Sequence, residues 1–263
     1  MPKPGQHWLL LRGLCREAAH WGDFPSLLQA AFPASTVSTI DLPGTGQFYQ
    51  ENSPDSILEI THEVRRRALD AGLIAKPVTL LALSLGGMVA WEWMQRYPQD
   101  IAGGVLVNTS FANLSPFHQR LRWQSYPQFF SLLMARELYS RELAIIKLVS
   151  NRREADSETA AAWTAIQALR PISFANCCRQ ISAAARYRPS ETKPETALLI
   201  LNGRGDRLVD PACSYAIHKK WQIDIQSHPW AGHDLCLDDG YWVVNRLKDW
   251  ADNRVDGLNR QII

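Results

Sequence analysis

The segment with the clearest chemical signature is LLALSLGGM, residues 80–88, in which Ser84 follows an apolar run and precedes two glycines. An apolar run of this length indicates a buried strand, and small residues around a serine suit the sharp strand-to-helix turn of a nucleophile elbow, usually G-x-S-x-G. Ala82 stands where that pattern has its first glycine. The segment predicts Ser84 as a nucleophile; the alternative is a serine that caps a helix.

A serine hydroxyl needs a base to remove its proton, and in this arrangement the partners follow in the chain order Ser, then Asp or Glu, then His. Asp206 lies in NGRGDRLV, residues 202–209, on a loop after an apolar run. His233 lies in PWAGHD, residues 229–234, after the last apolar run. We therefore predict Asp206 as the residue that orients His233, and His233 as the general base.

Each partner has a competitor nearby. Asp210 precedes Pro211 and fits the N-cap of the next helix, so Asp206 is preferred. His228 falls at a strand end, too early to lie on the following loop, so His233 is preferred.

Acyl-transfer chemistry also needs two N–H groups that face the oxyanion of the intermediate. One is expected from Leu85, directly after the nucleophile. The other is expected from the loop after the first strand, RGLC at residues 12–15, with Leu14 as the donor. No metal or organic cofactor is required by this chemistry.

The elements that position these residues alternate between strand and helix patterns. Strands are predicted over 7–11, 36–42, 78–83, 105–108, 197–201 and 223–227, and helices over 53–71 (ended by Gly72), 86–97, 211–219 and 241–252. Alternation with nearly continuous apolar strands indicates an α/β fold with a parallel sheet covered on both faces.

Residues 111–190 interrupt this alternation with helical patterns alone, which predicts a helical lid inserted in a core of residues 1–110 and 191–263. The insertion leaves from the carboxyl end of a strand, where ligands of open α/β sheets bind. Its aromatic side chains are expected to line an apolar substrate pocket, with packing between lid helices as the alternative. These are Trp123, Tyr126, Phe129, Phe130 and Trp163.

Composition excludes several classes of protein. A net charge of +2 over 263 residues gives no support for nucleic-acid binding. No apolar stretch approaches the roughly 20 residues that span a bilayer, and the N-terminal apolar run is too short for a signal peptide. The five cysteines lack the paired spacing of a zinc site. We expect a cytoplasmic protein with reduced cysteines.

The segments LLLRGLCREAAHWGDF, IDLPGTGQF, LLALSLGGMVAWEW, LLILNGRGDRLV and WAGHDL together resemble the α/β-hydrolase superfamily over nearly the whole chain. Within it, the chain is similar to small lid-bearing carboxylesterases such as those that cleave pimeloyl-carrier-protein methyl ester. The resemblance implies an α/β-hydrolase fold, Ser84, Asp206 and His233 as a catalytic triad, and Leu14 and Leu85 as oxyanion donors. Arg12 and Thr45 replace histidines that are usual in the family. Arg12 either adds a positive charge near the site or forms a structural ion pair.

These features predict a serine hydrolase that cleaves a small-molecule carboxylic ester or thioester. The alternatives are a cofactor-free C–C bond hydrolase or lyase on the same triad, and a ligand-binding protein without turnover.

The lid carries 11 Arg and Lys against 5 Asp and Glu, so its net charge is +6 in a chain of +2. An acidic acyl carrier protein is therefore a candidate partner, as the resemblance also implies. The alternative is a solvated surface of short-range ion pairs. The candidate docking residues are Arg136, Arg141, Arg152 and Arg153.

Overall fold

A computed structural model describes residues 7–127, 137–152, 154 and 156–259, with side chains up to residue 252. It contains a parallel sheet of six strands in the order β2-β1-β3-β4-β5-β6. The strands are β1 (His7–Leu11), β2 (Thr36–Ile40), β3 (Val78–Leu83), β4 (Ile101–Val107), β5 (Leu198–Gly203) and β6 (Asp224–His228). The predicted fold class is confirmed: this is a parallel sheet with helices on both faces.

The helices are α1 (Phe24–Ala31), α2 (Ile57–Asp70), α3 (Leu85–Arg96), α4 (Phe117–Arg120), α5 (Leu138–Val149), α6 (Asp156–Leu169), α7 (Phe174–Arg186), α8 (Ala212–Trp221) and α9 (Leu235–Asn259). Helices α2, α3 and α8 contribute to the apolar core on one face of the sheet. Helices α1 and α9 contribute to the core on the other face. Helices α4 to α7 lie in the segment predicted to be a lid.

Local chemistry explains both ends of helix α2. Helix α2 begins at Ile57, later than predicted, because the Ser56 side chain accepts a hydrogen bond from the Glu59 N–H and so caps the helix. It ends as predicted before Gly72, whose φ of +68° is a left-handed conformation that glycine adopts without strain.

Besides α2, three elements differ from the predictions by more than two residues or were not predicted. Strand β4 begins at Ile101 rather than at residue 105. Its first residues were not predicted because the Gly103-Gly104 pair lacks the composition typical of strands. Helix α9 begins at Leu235 rather than residue 241, with a break at Asp239 where the backbone is not helical. Helix α1 was not predicted, since it is only 8 residues long.

None of the described helices is both long and apolar enough to cross a membrane.

Candidate active site

Ser84 occupies the sharp turn between β3 and α3. Its φ of +56° is a conformation that costs a non-glycine residue about 1–3 kcal/mol, so the surroundings must hold it. Its N–H donates to the Val107 carbonyl at 2.8 Å, and its own carbonyl accepts hydrogen bonds from the Gly87 N–H at 2.9 Å and the Thr109 hydroxyl at 2.8 Å. The turn is therefore tied on both sides to the chain at the end of β4.

Two glycines allow the loop after β1 to pass directly beside Ser84. A Cβ added to Gly86 would lie 2.5 Å from the Arg12 carbonyl oxygen and 2.7 Å from the Leu11 carbonyl oxygen. A Cβ on Gly13 would lie 3.1 Å from the Ser84 Cβ. Close backbone contact is thus the physical reason for glycine at both positions.

Asp206 and His233 form a buried pair at the carboxyl ends of β5 and β6. The distance between His233 Nδ1 and Asp206 Oδ2 is 2.7 Å, and the two side chains are 7% and 1% exposed. The other carboxylate oxygen of Asp206 accepts hydrogen bonds from the Leu208 N–H at 2.8 Å and the Val209 N–H at 2.9 Å. The loop after β5 therefore fixes the carboxylate that faces the imidazole.

This contact determines which ring nitrogen of His233 can act as a base. A carboxylate only accepts hydrogen bonds, so Nδ1 carries the proton that Asp206 Oδ2 accepts. In the neutral imidazole the lone pair then lies on Nε2.

Asn108 at the end of β4 organises the same loops, although it is not among the site residues predicted from the sequence. Its side-chain amide donates to the His233 carbonyl at 2.8 Å and the Gly232 carbonyl at 3.1 Å, and its oxygen accepts from the Gly203 N–H at 3.0 Å. The signal that could have found it is a polar residue directly after an apolar strand.

The two competitors have other contacts. Asp210 Oδ1 accepts a hydrogen bond from the Ala212 N–H at 2.9 Å at the start of α8, although the N-cap position falls on Pro211 rather than on Asp210. His228 Nδ1 accepts from the Ala231 N–H at 2.9 Å, and its Nε2 lies 3.2 Å from Asp239 Oδ2. The side chains of Asp210 and His228 thus stabilise loop and helix structure, whereas Asp206 and His233 contact each other.

The two predicted oxyanion donors flank the turn. Leu85 is the first residue of α3, where helix N–H groups have no intrahelical partner. Leu14 directly follows Gly13, whose backbone lies against Ser84. The next residue, Cys15, has φ +57° and donates its N–H to Gln180 Oε1 of α7 at 2.8 Å, so the lid segment holds this loop.

Arg12 forms a structural ion pair, which decides between the two possibilities that the sequence left open. Its Nη2 lies 2.6 Å from Asp234 Oδ2, and both side chains are buried. The guanidinium also stacks over the Trp21 ring at 4.6 Å. Thr45 closes a turn by donating its hydroxyl to the Leu42 carbonyl.

A second buried ion pair joins α5 of the lid segment to the loop after β1. Arg16 Nη1 lies 2.8 Å from Glu142 Oε2, with side chains 10% and 2% exposed. Trp163 of α6 packs against the Arg16 guanidinium at 4.7 Å and against the His20 ring at 5.2 Å. Burial, together with the charges of Arg16 and Arg12, holds the pKa of His20 far below its usual range, so His20 is neutral.

The remaining lid predictions concern its aromatic and basic side chains. Trp163 is buried among α5 and α6, whereas Trp123 and Tyr126 are 63% and 43% exposed. Arg141 is half-buried and lies 3.8 Å from Glu142, whereas Arg152 is exposed and lies 4.0 Å from Glu154. Phe129, Phe130, Arg136 and Arg153 lie outside the described residues.

Within the ranges that the structure describes, no group of three or more His, Cys, Asp and Glu side chains is arranged to hold a metal ion.

A profile of the Alpha/beta hydrolase family matches residues 8–246. The chain belongs to this family. The α/β-hydrolase membership expected from the sequence is therefore confirmed. Among solved structures, esterase RhEst1 from Rhodococcus sp. ECU1013 superposes with a TM-score of 0.71 at 17% identity, covering 94% of this chain and 90% of that one. At that identity the similarity establishes the fold.

Two curated relatives match part of this α/β hydrolase. Methyl jasmonate esterase 1 of Vitis vinifera is 28% identical over 125 residues, which are 46% of this chain and 47% of that protein. The biotin biosynthesis bifunctional protein BioHC of Teredinibacter turnerae is 31% identical over 111 residues, 41% of this chain and 18% of that protein. The matched region thus spans about half of the first relative and about a fifth of the second.

Proposed function

We propose that this α/β hydrolase cleaves carboxylic esters or thioesters through an acyl-enzyme on Ser84. The observation that carries the proposal is the buried 2.7 Å contact between Asp206 and His233 Nδ1, formed at the ends of β5 and β6 in a sheet whose strand β3 ends at the strained Ser84 turn. That contact leaves Nε2 of His233 as the base for the serine hydroxyl. The name of the curated relative methyl jasmonate esterase 1 supports the same class of reaction.

In the proposed reaction, His233 Nε2 takes the proton of Ser84 as Oγ attacks the substrate carbonyl. The N–H groups of Leu14 and Leu85 stabilise the oxyanion of the tetrahedral intermediate. The protonated His233 then gives its proton to the departing alcohol or thiol. Water, deprotonated by the same nitrogen, attacks the acyl-enzyme and releases the acid. Asp206 keeps the imidazole in the required tautomer and stabilises its charged form.

The test is a panel of aryl esters of increasing acyl chain length, assayed with wild type and single variants. We expect Ser84→Ala to lower kcat by about 10⁴- to 10⁶-fold. Asp206→Asn should lower kcat by about 10⁴-fold because the wrong tautomer becomes accessible. Asp210→Asn is the matched control, since its amide oxygen can still accept the Ala212 N–H, and its kcat should stay within about 2-fold of wild type.

Near-native turnover by Ser84→Ala, or equal losses in Asp206→Asn and Asp210→Asn, would contradict the assignment. Absence of turnover with every ester would favour the C–C bond chemistry that the same three residues could support.

A carrier-protein-linked acyl ester is a second candidate substrate, and the exposed arginines of the lid segment favour it. Three arginines of the lid segment bind residues outside it. Arg170 pairs with Glu17, Arg186 pairs with Asp55, and Arg122 donates to the Asp206 carbonyl. Arg141 lies 3.8 Å from Glu142, whose buried carboxylate already pairs with Arg16. Arg152 lies 4.0 Å from the exposed Glu154. Neither contact is a close ion pair with an exposed acid, so both arginines are candidates to attract an acidic partner.

The test compares a carrier-linked ester with the same acyl group on a small alcohol, at low and high salt. Arg152→Glu should reduce kcat/KM for the carrier substrate alone, and mainly at low salt, because exposed charges are screened within about 8 Å at physiological ionic strength. Lys219→Glu, an exposed position on α8, is the control. Equal effects of the two substitutions would refute carrier docking at this surface.

A further inference from the structure

The carboxyl-terminal end of helix α5 contacts both loops of the candidate acid–base pair. We call residues 149–152 the α5 terminus. The main-chain carbonyl of Val149 accepts a hydrogen bond from the Asp234 N–H at 2.8 Å, and that of Ser150 accepts one from Arg207 Nη2 at 2.6 Å. Asp234 directly follows the candidate base, and Arg207 directly follows the candidate acid. One short stretch of the lid segment thus holds a neighbour of each member of the pair.

Within the α5 terminus, the side chain of Asn151 bridges the same two loops. Its Nδ2 donates to the Gly205 carbonyl at 3.0 Å and to the Trp230 carbonyl at 2.8 Å. Gly205 directly precedes Asp206. Trp230 lies on the following loop, three residues before His233. A Cβ on Gly205 would lie 2.4 Å from Asn151 Nδ2, so the amide reaches this loop because glycine leaves room for it.

Asp238 on α9 joins the α5 terminus to the loop of the candidate base from the opposite side. Its side chain is buried, at 3% exposure. Oδ1 accepts hydrogen bonds from the Ser150 hydroxyl at 2.6 Å, the Asn151 N–H at 3.0 Å and the Arg152 N–H at 3.1 Å. Oδ2 accepts the N–H of Gly232, the residue directly before the candidate base, at 2.5 Å. One carboxylate therefore fixes the two segments against each other.

We propose that Asn151 and Asp238 are positioning residues, which hold the loops of Asp206 and His233 at the separation that the hydrogen bond between them needs. The four residues that directly flank the pair are all bound to the α5 terminus or to Asp238; they are Gly205, Arg207, Gly232 and Asp234. The expected effect on turnover rests on the function proposed above, whereas the effect on the hydrogen bond does not.

The variant Asn151→Asp tests this role with little change in side-chain shape. An ionised carboxylate only accepts hydrogen bonds, so the substitution sets acceptor against acceptor at the carbonyls of Gly205 and Trp230. The two loops should then move apart. A displacement of about 1 Å in a catalytic group can lower the rate by about 100-fold, so we expect kcat to fall by at least about 10-fold.

The matched control is Asn176→Asp on α7, where another asparagine binds the lid segment to the core. Asn176 Nδ2 donates to the Glu51 carbonyl at 2.8 Å and to the Gly44 carbonyl at 3.3 Å, neither of which belongs to the loops of the pair. Asn176 is 2% exposed, whereas Asn151 is half-buried. The control should therefore disturb the fold at least as much as Asn151→Asp, while its kcat stays within about 2-fold of wild type.

The experiment combines ester turnover with proton NMR of the full chain, and circular dichroism identifies the variants that fold. A proton held in a short, buried hydrogen bond to a carboxylate exchanges slowly with water and resonates downfield of other N–H protons. Wild type and Asn176→Asp should show this resonance for His233 Nδ1–H, and its loss in Asp206→Asn assigns it. Asn151→Asp should lose the resonance and turnover together. Asp238→Asn, a second variant of the same network, should lose both as well.

Three results would overturn the inference. One is an Asn151→Asp protein with wild-type turnover and an unchanged resonance. Another is a loss of turnover with the resonance unchanged, because the hydrogen bond of the pair would then be intact. The third is an equal loss in Asn151→Asp and Asn176→Asp, which would indicate a general loosening of the lid segment. A wild-type protein inactive on every ester would refute the proposed function instead, while the resonance would still test the positioning.

Discussion

Replacing Asp234 with asparagine removes the charge that faces Arg12 but leaves the cap of helix α9 in place. Asp234 Oδ2 lies 2.6 Å from Arg12 Nη2, while Oδ1 accepts the Leu237 N–H at 3.2 Å. The arginine Nε has no hydrogen-bond partner within the described part of the chain. The variant therefore leaves a buried guanidinium without an opposite charge.

The magnitude follows from the burial of both groups, whose side chains are 4% and 3% exposed. Removing one member of a buried ion pair costs about 3–5 kcal/mol in unfolding free energy. The amide oxygen can still accept one hydrogen bond, which recovers about 1 kcal/mol. We expect Asp234→Asn to lose about 2–4 kcal/mol. Asp234→Ala should lose about 1 kcal/mol more, because it also removes the helix cap.

The assay is urea unfolding followed by tryptophan fluorescence and circular dichroism, with a double-mutant cycle. The double variant Arg12→Met/Asp234→Asn should lose less unfolding free energy than the two single variants together, by more than about 1 kcal/mol. The reason is that no unpaired charge remains buried in the double variant. Additive losses, or a loss below about 0.5 kcal/mol in Asp234→Asn, would refute this reasoning. Stability is the decisive readout because Asp234 neighbours His233 and turnover would fall for either reason.

Two further predictions concern the contacts between the lid segment and the loop after β1. Glu142→Gln should cost about 3 kcal/mol of unfolding free energy, because it leaves Arg16 buried without its partner. The control Glu63→Gln, which removes an exposed pair with Arg66, should cost under about 1 kcal/mol. Equal urea midpoints for the two variants would contradict this prediction. Because the folded state holds the pKa of His20 low, only the unfolded state takes up that proton below about pH 6.5. The unfolding free energy of wild type should therefore fall as the pH drops from about 6.5 to about 5. The slope should exceed that of His20→Gln by up to about 1.4 kcal/mol per pH unit. Parallel curves for the two proteins would contradict a low pKa of His20 in the folded state.

The candidate triad could be predicted because each member is marked by its neighbours in sequence. An apolar strand ends at Ser84, glycines precede Asp206, and Gly232 precedes His233. These are local patterns that report where a strand stops and a loop begins. They require no knowledge of which distant residues meet.

The supporting contacts could not be predicted because they join residues far apart in the chain. Arg12 and Asp234 are separated by 222 positions, and Cys15 and Gln180 by 165. A charged or amide side chain in a loop carries no local sign that its partner is buried beside it. The same limitation applies to Asn108, whose role depends on three loops that converge only in the folded protein.

The most direct test of the central claim is covalent labelling with a fluorophosphonate, followed by peptide mass analysis. The reagent reacts with a serine whose hydroxyl is activated by a neighbouring base. We predict one phosphonyl group per molecule, located on the peptide that contains Ser84, and no label on Ser84→Ala. Labelling at another serine, or equal labelling of Ser84→Ala and wild type, would contradict the assignment of Ser84 as the nucleophile.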